Sequence, residues 1–115
     1  MLRTAGELKG VAIQATDGDL GHVEDFLVDD ETWAIRYIIV DTRNWLPGRK
    51  VLISPEWIQR VSWEDSKVYV DLSKRHIEAA PEFDSSVPLG REHEELLYDH
   101  LGRPKYWERE PRRKA

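Results

Sequence analysis

The sequence predicts a mainly β domain, a small barrel or sandwich of about six short strands followed by one C-terminal helix. Three observations carry that expectation. Between residues 10 and 72, apolar and polar positions alternate with the two-residue period of half-buried strands. Polar turn sequences punctuate these runs at regular intervals, the pattern of a small all-β domain. After Leu72 the period changes, and Leu97 and Leu101 stand four apart with Leu96 beside them, an apolar stripe at helical spacing.

Gly10 opens the first strand, where Val11 and Ile13 alternate with Ala12 and Gln14. Asp17-Gly18-Asp19 reads as a turn, and Gly21 to Val28 as the second strand. The acidic run Asp29-Asp30-Glu31-Thr32 is too polar to bury and suits a hairpin tip. Trp33 to Asp41 is the strongest strand: Trp33, Ile35, Tyr37 and Ile39 share one face, and Ala34, Arg36, Ile38 and Val40 the other. Both faces are mostly apolar, so the strand is expected to be covered on two sides. Adjacent isoleucines followed by valine favour strand over helix. Asn44-Trp45-Leu46-Pro47-Gly48 breaks the pattern before a short strand at Val51 to Ile53. Trp57 and Ile58 lead into Val61 and Trp63, and beyond the turn Glu64-Asp65-Ser66 the residues Val68, Val70 and Leu72 alternate with polar neighbours.

Ser73 is placed to cap a brief helical turn through Glu78, which closes before Pro81. Pro81, Pro88 and Gly90 mark a connector. In the helix Arg91 to Leu101, acids at 92, 94 and 95 sit where the dipole favours them, and Gly102 with Pro104 stops it. The expected division is a β-domain over residues 1–80, then a connector, helix and basic tail over 81–115, packed on the barrel or on a second copy.

A chain of 115 residues without cysteine is one domain that uses neither disulfides nor thiolate metal sites and fits a reducing compartment. Its N-terminal residues lack the apolar run of a signal peptide, and Tyr37–Val40 is far too short to span a bilayer. A soluble cytoplasmic protein is therefore expected, with no membrane insertion. Seventeen basic against twenty-two acidic residues, a formal charge of −5, argue against a surface made for nucleic acid. The basic cluster at Arg109, Arg112, Arg113 and Lys114 reads as a solvated tail.

The order of these segments resembles the PRC-barrel family, named for the cytoplasmic domain of the photosynthetic reaction centre H subunit. The resemblance rests on Gly21-His22-Val23-Glu24-Asp25-Phe26-Leu27-Val28-Asp29-Asp30, on Trp33 to Asp41, and on Trp45-Leu46-Pro47-Gly48-Arg49-Lys50-Val51-Leu52-Ile53-Ser54. Leu97 to Gly102 followed by Pro104, Tyr106 and Trp107 is similar to the ending of free-standing bacterial members. The resemblance covers most of residues 6–107 and lies in the ordered series rather than in any one motif. It implies a small, strongly bent antiparallel barrel that often pairs with itself and acts as an adaptor without a catalytic site. The reaction centre subunit's membrane helix and the additional β-domain of a ribosome maturation factor are not expected here.

Candidate chemistry is sparse. Asp25 and Asp41 are acids in or beside apolar strands. They could carry protons if buried, but are better explained as structural acids accepting backbone hydrogen bonds or pairing with Arg36. Of His22, His76, His93 and His100, the last two share a helix face but lie about 10 Å apart along its axis, too far to clasp one metal ion. Asp29-Asp30-Glu31 and Glu64-Asp65 lack the spacing of a calcium loop, and Gly18 and Gly21 lack the repeat of a phosphate loop. Ser54, Ser62, Ser66 and Ser73 sit in no nucleophile motif. No catalytic residue, cofactor or metal is expected.

The aromatic residues are more informative. Trp33, Trp57 and Trp63 are expected in the core. Trp45 and Leu46 beside a Pro-Gly turn, and Tyr106 and Trp107 after the helix stop, form the candidate interaction surface, unless the latter pair folds back on the barrel. The expected function is a non-catalytic interaction or assembly module, a homodimer paired through the two-faced strand at residues 33–40 and its neighbours and docking an unidentified protein. The resemblance implies two alternatives: a role like that of the reaction centre H subunit in photosynthetic electron transfer or proton supply, with Asp25 and Asp41 as the candidate proton-carrying acids, and RNA or ribosome association through the basic tail, as in the maturation factor.

Overall fold

The computed structural model describes residues 5–42, 50–83 and 89–109. Trp45 and Leu46 lie outside the described residues, as does the basic tail beyond Arg109. Six strands form one sheet: β1 (Ala12–Ala15), β2 (Gly18–Val28), β3 (Ile35–Asp41), β4 (Lys50–Ile53), β5 (Ile58–Ser62) and β6 (Lys67–Val70). Three helices follow, α1 (Lys74–Glu78), α2 (Arg91–Leu101) and α3 (Tyr106–Arg109). Among the described residues no helix is long and apolar enough to cross a membrane.

The strand order is β4-β3-β2-β1-β6-β5. Two expectations are corrected here. The sheet is open, with β4 and β5 as its edges, rather than hydrogen-bonded into a closed barrel. It is also mixed, because β1 runs antiparallel to β2 but parallel to β6. The long connection through β2 to β5 returns the chain to β1 in the same direction, which no hairpin can do.

Curvature comes from β2, eleven residues long, whose first half pairs with β1 and whose second half pairs with β3. Bulges interrupt its register between Val23 and Asp25 and again near Leu27, and bulges bend the strand that carries them. Gly21 sits at the handover, with φ of 153°. A Cβ there would lie 2.1 Å from the Asp41 carbonyl oxygen, so only glycine lets β2 and β3 approach so closely.

Strand β3 begins at Ile35, not Trp33, and from Tyr37 to Val40 every side chain is buried, as the two-faced pattern requires. The open side of the sheet is covered by helices. Tyr98 of α2 sets its ring edge-on to Trp57 at 5.3 Å and to Tyr37 at 6.4 Å, joining α2 to β3 and to the turn that leads into β5. Ile77 of α1 and Leu97 and Leu101 of α2 complete the core. Leu96, expected on the apolar stripe, is 61% exposed; Glu94 takes the buried position on that face instead.

The helix boundaries follow local chemistry. The Ser73 hydroxyl accepts the His76 N–H at 3.1 Å, and the Lys74 N–H donates to Asp17, tying α1 to the β1–β2 turn. Gly102 closes α2 in the left-handed region at φ 65°, and the Arg103 N–H reaches back to the Tyr98 carbonyl.

Candidate functional site

The β2–β3 connection is built around Asp29. Its backbone carbonyl accepts the Trp33 N–H at 2.7 Å, and its N–H donates to Ala34 at 2.8 Å. One carboxylate oxygen accepts the Glu31 N–H at 2.9 Å; the other accepts Nε and Nη2 of Arg36, both at 3.2 Å. The Glu31 N–H first, and the Arg36 guanidinium with it, hold the Asp29 carboxyl below its usual range against the opposing effect of burial. Thr32 adds a hydroxyl that accepts from Ala34 N–H at 3.3 Å and from Arg36.

This wrapping forces Trp33 to φ 60°, a region that costs a non-glycine residue roughly 1–3 kcal/mol. The indole is 78% exposed, and Val28 and Ile35 on either side are exposed as well. Trp33 is thus the reverse of the core residue that strand alternation predicts, because the left-handed residue ends that alternation before β3 starts. Trp63 is also outside the core at 42% exposure, whereas Trp57 is buried as expected.

Beside the hairpin a cleft of about 360 Å³ opens between the ends of β2 and β3 and helix α2. Leu27, Val28 and Leu89 form its apolar wall; Asp29, Asp30 and Glu31 stand on the hairpin side; Tyr37, Glu94 and Tyr106 are also in its lining. Glu94 is 6% exposed, and its Oε2 accepts hydrogen bonds from the hydroxyls of Tyr37 and of Tyr106, the latter at 2.9 Å. Burial, and then the bond to Glu94, push both phenols well above their ordinary value, so both remain donors at neutral pH. Arg91 places Nε 3.7 Å from Glu94 Oε1 and its guanidinium 4.2 Å from the centre of the Trp107 ring. Arg36 lies 4.2 Å over the Tyr106 ring. Chemically, this is a clamp. A carboxylate held by two fixed donors fastens α2 and α3 to β3.

The remaining candidates are dispersed. Asp25 is exposed and accepts the Phe26 N–H at 2.8 Å; Arg36, considered as a partner for it, pairs with Asp29 instead. Asp41 is half-buried at the end of β3, in register with His22 of β2 and Lys50 of β4, and borders a second cleft of about 260 Å³. Tyr106 is buried and Trp107 half-buried, their rings edge-on at 5.1 Å. His93 and His100 do not converge. His100 Nε2 lies 2.7 Å from the His76 carbonyl, and their rings are 4.7 Å apart. Among the described residues no three His, Asp or Glu side chains gather as a metal site. Ser54 and Ser73 serve as helix caps, and Ser62 bonds Asp65 in the β5–β6 turn.

Sequence reasoning did not single out Glu94, and it placed Trp33 in the core or on a self-pairing strand rather than at the exposed hairpin tip. Glu94 had a usable signal, since it precedes Leu97, Tyr98 and Leu101 at spacings of three, four and seven and so shares their buried face. Trp33 had none in its alternation, though its position directly after an acidic turn placed it at risk of being the turn's last residue.

The PRC-barrel domain model matches residues 3–77. An uncharacterized protein of Deinococcus radiodurans is 40% identical over 76 residues, which span 64% of this chain and 27% of that protein. The family match ends at α1, so Trp33, Asp29 and the clamp residues Arg36 and Tyr37 fall within it, while Arg91, Glu94 and Tyr106 lie beyond it.

Proposed function

This chain belongs to the PRC-barrel domain family, and from that premise we propose that it is a non-catalytic, cytoplasmic interaction and assembly module. The observation that carries the reading is Trp33. A large apolar side chain is held in solvent at an unfavourable backbone geometry by a hydrogen-bonded hairpin, and such strain persists where the surroundings impose it for use. Exposed aromatic residues flanked by aliphatic ones are the usual anchors of protein interfaces.

The strand at residues 33–40 is hydrogen-bonded on both sides, to β2 and to β4, so we infer self-association at the other end of the sheet instead. Strand β5 has β6 on one side and no strand on the other among the described residues, and Val61 and Trp63 are exposed there. An uncovered edge strand presents backbone donors and acceptors to a second copy. The hairpin tip is a poorer place for a symmetric contact, since a two-fold axis through it would set Asp30 and Glu31 against their own copies.

Two measurements test these assignments. Light scattering should give a dimer for the intact chain and a monomer for Val61→Lys; a monomeric intact chain removes the self-association. A photo-reactive phenylalanine analogue placed at position 33 should yield discrete protein adducts in cells that the same analogue at exposed Glu56 does not. Equal labelling from both positions would sink the docking role of Trp33.

A further inference from the structure

We propose that His76 and His100 together bind one divalent transition-metal ion of the zinc class, tying the end of α2 to α1. Local chemistry builds the pair on two helices. Ser73 starts α1 so that His76 lies in its last turn, and Gly102 stops α2 so that His100 lies in its last turn. The final carbonyls of a helix have no partner within it, and His100 Nε2 meets the His76 carbonyl at 2.7 Å. A carbonyl only accepts, so Nε2 carries the proton and the neutral ring keeps its lone pair on Nδ1. One nitrogen donating to a backbone carbonyl, with the other left unprotonated, is the arrangement that metal-binding histidines adopt.

The spacing of the rings fits a shared ion. Their centres are 4.7 Å apart and their planes are inclined at 56°. With a Zn–N distance of about 2.0–2.1 Å, an ion lies about 3.2 Å from each ring centre; two imidazoles on it then have centres about 4.5 Å apart at a right angle and about 5.2 Å apart at the tetrahedral angle. The observed separation falls between these, so turning the rings brings both lone pairs onto the ion while the helices stay in place. Ile77 and Leu101, each next to a histidine in the chain, are buried and hold that spacing. His76 is exposed and His100 half-buried, so an ion reaches the pair from solvent. Asp71 and Asp99 are engaged by Arg103 and Lys105, and no third His, Asp or Glu completes the set among the described residues. Two imidazoles are thus the protein ligands, with water or an external ligand in the remaining positions, a donor set for zinc, nickel or copper rather than magnesium or calcium. His76 lies inside the stretch matched by the family model and His100 beyond it, so the ion is a second fastening, at the opposite end of α2 from Glu94.

Zinc chloride and, separately, magnesium chloride are titrated into the intact chain without an affinity tag, followed by calorimetry and by NMR of the imidazole protons. Zinc should bind at one ion per chain and move the ring signals of His76 and His100 but not those of His22 and His93; magnesium should move none. Zinc at a hundredfold excess over its dissociation constant should raise the melting temperature by about 10 °C. His76→Gln, at an exposed position, and His100→Gln, which keeps a side-chain N–H for the His76 carbonyl, should each weaken binding at least about tenfold, whereas His22→Gln should not. The proposal is overturned if zinc fails to bind, binds as well after either substitution, or moves all four histidines alike. It is also overturned if magnesium moves the same signals, or if one ion binds per two chains, since the ion then bridges copies.

Discussion

Replacing Tyr37 by phenylalanine isolates the clamp between the sheet and α2. The change removes one oxygen and leaves the ring in its edge-on contact with Tyr98 at 6.4 Å, so packing is conserved. What is lost is the hydroxyl that donates to Glu94 Oε2, a hydrogen bond buried at both ends. A hydrogen bond to a charged group is worth about 1.5–3 kcal/mol. With an unfolding entropy near 2.1 cal/mol/K per residue, 1 kcal/mol corresponds to about 4 °C for a chain of this length, so the melting temperature should fall by roughly 6–12 °C. Urea unfolding of the wild type, Tyr37→Phe, Tyr106→Phe and the double variant forms the cycle to measure. The second removal should cost more than the first, because Glu94 is then left buried with Arg91 as its remaining charged neighbour among the described residues. A Tyr37→Phe variant within about 0.5 kcal/mol of wild type, the level of an ordinary surface substitution, would refute the clamp.

The same phenols set an alkaline limit. Tyr37 and Tyr106 have folded values raised above the unfolded 10.0, so their contribution is complete below pH 10 and is lost as pH rises beyond it. Each costs about 1.4 kcal/mol per pH unit there, and Tyr37→Phe should flatten the decline measured by urea unfolding between pH 10 and 11. Gly21→Ala should destabilise by about 3 kcal/mol, because its Cβ would stand 2.1 Å from the Asp41 carbonyl oxygen and must push β2 from β3; a loss under about 1 kcal/mol would show that the approach yields easily. Trp33→Asn should raise stability by up to about 1 kcal/mol, since asparagine tolerates φ near 60°. A lower melting temperature would mean that the indole packs on the hairpin rather than straining it.

An exposed, strained tryptophan and a buried, satisfied glutamate illustrate two opposite uses of a local rule being broken. At Trp33 the break creates surface, at a cost in stability that the Asp29 network sustains. At Glu94 it removes a charge from water and spends it on fastening the C-terminal segment. The helical side of the clamp, with Glu94 and Tyr106, lies outside the stretch matched by the family model, so residues 3–77 alone would leave Tyr37 and Trp57 without the helix that covers them. The family-matched stretch is therefore smaller than the unit that buries its own core.

The sequence by itself determined what neighbours along the chain decide. The two-residue period placed six strands, the apolar run from Tyr37 to Val40 declared a strand covered on both sides, Ser73 announced α1, and Gly102 ended α2. Each of these depends on contacts within a few residues, where propensity, capping and alternation act directly. Only the tertiary structure decided which strands meet and which polar groups pair. The parallel contact of β1 with β6, the open edge at β5 and the bond from Tyr37 to Glu94 join positions about fifty residues apart or compare distant ends of the sheet. No periodicity encodes such partners, because alternation fixes which face a side chain takes but not what is brought against it. Trp33 falls between the two cases. Its hydropathy assigned it to the core, and one backbone angle, set by the hydrogen bonds of Asp29, turned it into solvent.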